Sequence, residues 1–77
     1  MTEAEALGWC AAHQAVTRWF ERDGVGSLRV TVQIADEPVT AIVPVAGREP
    51  ALVLTVAVAE LTEEVECLRR RLALRAV

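Results

Sequence analysis

The sequence predicts a small α+β domain in which an antiparallel β-hairpin is packed by two helices, in the order α-β-β-α. Three observations carry this. Leu28, Val30, Val32 and Ile34 alternate with Arg29, Thr31 and Gln33, the period-two signature of a half-buried strand, and Val39, Ala41, Val43 and Val45 repeat it. Leu54, Val58, Leu61, Val65, Leu68 and Leu72 recur in unbroken steps of four and three, which is helical spacing. Thr2 and Glu5 form a Thr-x-x-Glu capping box, a signature of a helix start.

The first helix is expected over Thr2 to Arg22. Trp9, Ala12, Val16, Trp19 and Phe20 follow steps of three and four, and Asp23-Gly24 supplies a stop, because glycine tolerates the left-handed conformation common past a helix end. A competing reading ends this helix near His13 and hands over to a strand, since Val16-Thr17-Arg18-Trp19-Phe20 is rich in β-formers. The hairpin follows, with Ala35-Asp36-Glu37-Pro38 as its turn. Pro44 cannot donate to a ladder, so the second strand lies at an edge or is cut short there.

A second helix is expected to begin near Ala51, with Pro50 suited to its first turn, and to run to Arg75. Glu63 and Glu64 precede Arg69, Arg70, Arg71 and Arg75, an order that complements the helix dipole. Glu66 and Arg70 form an i,i+4 pair. The alternative places a third strand at 52–58, where Leu52, Leu54, Val56 and Val58 alternate. The order is then α-β-β-β-α, which is similar to that of double-stranded-RNA-binding domains.

All of this fits one domain spanning 1–77. Its 77 residues are 53% apolar, against roughly 45–50% for an average soluble domain. A chain this short buries only about 60–65% of the surface it exposes when unfolded, so some apolar surface is left for a partner. The composition disfavours disorder and a disulfide scaffold. The formal charge of −3 argues against general nucleic-acid binding, and all eight basic residues are arginine. The acidic start, Met-Thr-Glu-Ala-Glu, lacks the basic and apolar regions of a signal peptide. The apolar-rich run at 51–59 is far below the ~20 residues of a membrane span. A cytoplasmic setting with free thiols at Cys10 and Cys67 is expected.

The candidate interface is the stripe Leu54, Val58, Leu61, Val65, Leu68 and Leu72, joined by Trp19 and Phe20. The stripe has heptad spacing with Leu at d and Val, Val, Leu at a, a combination that favours two parallel helices. Glu64 at g and Arg69 at the following e would then face one another across a homodimer seam. The same stripe could instead lie on the hairpin. Arg69, Arg70, Arg71 and Arg75 are the only basic cluster and could contact an anionic partner, although consecutive helix residues fan out by about 100°. Cys10 and His13 share one side of a helix at i,i+3, but a structural zinc site needs four ligands. No third orienting group marks a Cys–His nucleophile. Gly24-Val25-Gly26 is a turn and not a phosphate cradle.

These residues point to a non-enzymatic protein-interaction module, homodimeric, with no cofactor and no metal. In size and composition it resembles accessory proteins of phages and mobile elements, including inhibitors of host complexes. The alternative is a small nucleic-acid-binding module that uses the C-terminal arginines.

Overall fold

Two type I′ hairpins and one long helix organise the chain, a small α+β domain. The computed structural model describes residues 1–75, so the last two positions of the expected 1–77 domain lie outside the described residues. The elements are α1 (Glu3–Ala12), β1 (Val16–Arg22), β2 (Val25–Ile34), β3 (Glu37–Pro44) and α2 (Pro50–Arg75). The strands form one antiparallel sheet in the order β1-β2-β3.

The capping box forms as expected. The Thr2 hydroxyl accepts from the Glu5 amide at 3.2 Å, and the Glu5 carboxylate accepts from the Thr2 amide at 3.1 Å. The Thr2 amide bond holds the Glu5 carboxyl below its ordinary range. The helix then ends ten residues before the expected Arg22. Ala15 N–H donates to the Cys10 carbonyl at 2.8 Å and Gln14 N–H to the Ala11 carbonyl at 3.3 Å. This is the paired closure of a Schellman motif, with Gln14 at φ 51° where glycine is usual. A non-glycine residue there is strained by about 1 kcal/mol. Gln14→Gly is therefore expected to stabilise the fold by up to about 1 kcal/mol. Urea unfolding midpoints of the two proteins check this.

Residues 16–22 are the strand that the shorter-helix reading required. Asp23 and Gly24, at φ 54° and 78°, form the two-residue turn joining β1 to β2. Asp-Gly thus closes a hairpin and does not stop a helix. Ala35 and Asp36, at φ 51° and 66°, make the equivalent turn into β3. The observed order is α-β-β-β-α, but its additional strand is 16–22. The alternative strand at 52–58 is helical, and Val53, Ala57 and Val58 are buried there.

β3 is an edge strand that ends at Pro44, as its proline implied. Arg48 fastens the exit, donating from Nη2 to the Pro44 carbonyl at 2.7 Å. The Glu49 carbonyl accepts from Val53 N–H at 3.1 Å, so α2 starts at Pro50, where a missing amide hydrogen costs nothing.

α2 lies across β2 and β3, and α1 packs on α2. Leu28, Val30 and Val32 of β2, Ala41 and Val43 of β3, and Val53, Ala57, Leu61 and Val65 of α2 make one core. Trp9 and Cys10 of α1 pack against it. No described helix is long and apolar enough to cross a membrane.

Candidate contact surface

The heptad stripe is covered from within the chain. Val58 and Leu61 are fully buried, and Val65 and Leu68 are nearly so; Leu54 and Leu72 are half-buried. A helix–helix seam between two copies would need these side chains at the surface. Leu61 and Val65 pack on the sheet and α1 packs on the same helix, so the expected seam is corrected to an internal contact. Glu64 and Arg69, the charges assigned to it, are both exposed.

Beyond Leu68 no described residue of α2 is fully buried; Leu72 is half-buried and Leu74 is 76% exposed. Arg69, Arg70, Arg71 and Arg75 are exposed on this overhang. Arg70 meets Glu66 at 3.8 Å, an exposed pair worth little to stability.

Trp19 and Phe20 point to opposite sides of the sheet. In a strand, neighbours face opposite sides. Trp19 pairs with Leu28, and so lies on the helix-covered side of the sheet; Phe20 pairs with Ser27 on the bare side. Yet α2 covers only β2 and β3, and Trp19 remains 50% exposed. It borders a cleft of about 420 Å³ between α1, β1 and the start of α2, with Leu7, Cys10, Leu28 and Leu54 among its walls.

β1 is thus exposed almost everywhere. Val16, Thr17, Arg18, Trp19, Glu21 and Arg22 are all exposed and only Phe20 is half-buried. Its single ladder to β2 leaves the other edge open. Which backbone groups point outward follows from one hydrogen bond. Val45 N–H donates to the Gly26 carbonyl at 2.8 Å, so Gly26 faces β3. Backbone groups alternate sides along a strand. Even-numbered β2 residues therefore face β3 and odd-numbered ones face β1. By the register, Val16, Arg18, Phe20 and Arg22 face β2, and Thr17, Trp19 and Glu21 turn their N–H and C=O outward. On β3 the outward positions are Pro38, Thr40, Ile42 and Pro44, and two of the four lack an N–H. Proline on an outward edge position blunts an edge against pairing. β3 is blunted in this way and β1 is not. Sequence reasoning missed this edge because it placed 16–22 in a helix.

The bare side of the sheet is carboxylate-free among the described strand residues. It carries Arg18 and Arg22 from β1, with Phe20 between them, Arg29 from β2 and, beyond it on β3, Ile42. Arg18 stands directly opposite Arg29, an apposition that is unfavourable without an anion. With Phe20 they line a shallow cavity of about 240 Å³.

Cys10 and His13 are both half-buried at the end of α1. The His13 Nδ1–H donates to the Trp9 carbonyl at 2.9 Å, and its ring stacks on Trp9 at 4.1 Å between centroids. These bonds fix the imidazole as part of the helix cap. Burial pushes the Cys10 thiol up, which disfavours the thiolate that a ligand or nucleophile requires. Among the described residues, no cluster of three or more His, Cys, Asp or Glu side chains could hold a metal ion.

No protein-family model matches this chain, and no curated protein or solved structure matches it.

Proposed function

We propose that this chain is a protein-interaction module that works by binding in the cytoplasm and self-associates as a homodimer. The observation that carries the reading is β1, which has an open edge, two largely uncovered faces and a half-exposed Trp19 beside an apolar cleft. Exposed large aromatics at concave surfaces are typical contact anchors. Blocking a host assembly, as small accessory proteins of phages and mobile elements do, is the role proposed on size and composition. Sedimentation equilibrium tests the self-association. A dimer at micromolar concentration is expected, and a monomer at high micromolar concentration overturns it.

A second reading, a nucleic-acid-binding module, is favoured by the arginine-bearing bare side and by the element order. Phosphates would meet Arg18, Arg22 and Arg29, with the C-terminal arginines as a further contact. Salt-dependent retardation of double-stranded RNA, lost in Arg18→Ser/Arg29→Ser, would support it. Unretarded RNA at low salt would overturn it.

A further inference from the structure

We propose that two copies of this chain join by antiparallel pairing of β1 with β1, centred on Trp19, to make one continuous six-stranded sheet. This rests on the self-association reading and names the surface that performs it. The argument is one of register.

A two-fold axis perpendicular to the sheet sets residues opposite one another so that their numbers sum to a constant. With Trp19 on the axis, Trp19 faces the partner's Trp19, Thr17 the partner's Glu21, Arg18 the partner's Phe20 and Val16 the partner's Arg22. All seven residues of β1 are matched. The residues with outward backbone groups, Thr17, Trp19 and Glu21, then fall opposite one another as hydrogen-bonded pairs. Each such pair exchanges two bonds, so about six bonds join the copies.

Neighbouring registers are worse on two counts. A slip that keeps the sheet faces matched sets Arg18 against the partner's Arg18, or Arg18 against the partner's Arg22. Either apposes like charges and drops a hydrogen-bonded pair. A slip that mismatches the faces turns the helix-covered side of one copy onto the bare side of the other. Of these three face-matched registers, only the Trp19-centred one avoids like-charge apposition, and it alone matches all seven residues. It also lays Arg18 beside the partner's Phe20 ring, a favourable cation–π placement.

Both side-chain layers gain. On the helix-covered side the two Trp19 rings, each 50% exposed in one chain, come together at the mouths of the two clefts. α2 lies over β2 and β3 and so leaves this edge free of itself, while α1 forms the far wall of the cleft that Trp19 borders. β3 cannot serve in the same way, since Pro38 and Pro44 remove N–H groups from its outward row.

The test is cross-linking in a Cys10→Ser/Cys67→Ser background. A hydrogen-bonded antiparallel pair holds its Cα atoms about 5.5 Å apart, within disulfide reach. Thr17→Cys/Glu21→Cys is expected to oxidise to a covalent dimer, whereas either cysteine alone is not. Within one chain positions 17 and 21 are about 13 Å apart, so no internal bridge competes. In the otherwise wild-type chain, Thr17→Pro is expected to raise the dimer dissociation constant about tenfold or more. Its circular dichroism should not change, because the Thr17 amide serves no bond to β2. A dimer that survives Thr17→Pro, or cross-links through a single cysteine, overturns the pairing while leaving self-association standing. A wild-type monomer at high micromolar concentration overturns both.

Discussion

Leu61→Asp is expected to abolish the cooperative unfolding transition, and Leu74→Asp on the same helix to leave it nearly unchanged. Leu61 is fully buried between α2 and the sheet. Losing its side chain costs about 2–5 kcal/mol. A carboxylate in the same place adds an unpaired buried charge, worth several kcal/mol more. A domain of this length has a margin of roughly 4–12 kcal/mol, so the two terms together consume most or all of it. Leu74 is 76% exposed, and its replacement is expected to change stability by no more than about 0.5 kcal/mol. Chemical denaturation followed by circular dichroism reads both. If the stripe were a seam between helices, Leu61→Asp would yield a folded monomer. The structure predicts an unfolded chain.

Leu28→Ala is expected to lower the melting temperature by about 10–20 °C. Leu28 is fully buried in the middle of β2, with Trp19 and Val43 opposite it on the two flanking strands. Truncating a buried leucine costs about 2–5 kcal/mol, more where the void persists. Here the void would adjoin the cleft, which Leu28 also lines, and water can enter. That favours the lower half of the range, about 2–3 kcal/mol, and each kcal/mol moves the midpoint by about 4–8 °C in a chain of this size. Trp19→Ala, on the same row but half-exposed, is expected to shift the midpoint of the dilute monomer much less. Thermal scans of the three proteins at low concentration separate the cases.

The hairpin of β2 and β3, the capping box and the full length of α2 were legible because each rests on a local pattern with one physical meaning. β1 was not, for two reasons that act together. Val16, Trp19 and Phe20 satisfy helical steps of three and four while being good strand formers. The residue that ends α1, Gln14 at φ 51°, carries no left-handed signature in its identity. Asp23-Gly24 was visible as punctuation, but the dipeptide serves both a helix end and a type I′ turn. Only the alternation on each side of it decides, and reading 16–22 against 25–34 as two strands would have found the hairpin.

The stripe from Leu54 to Leu72 shows a different limit. A straight helix on a sheet and a supercoiled pair differ by about 20° of drift per heptad. Over fewer than three heptads both patterns fall on the same residues, so spacing could identify the apolar face and not what covers it. Trp19 was singled out as an interface residue, and the structure leaves it half-exposed. The reason is strand geometry at an uncovered edge, which became apparent only once β1 existed.

The two prolines of β3 set how far assembly can go. A sheet with two open borders has a valence of two for strand addition and can polymerise without limit. With Pro38 and Pro44 on one border, this sheet has a valence of one. A pair formed through β1 presents only proline-capped borders to the solution, so joining is self-terminating. A chain that is 53% apolar can in this way carry an adhesive strand without seeding a fibre.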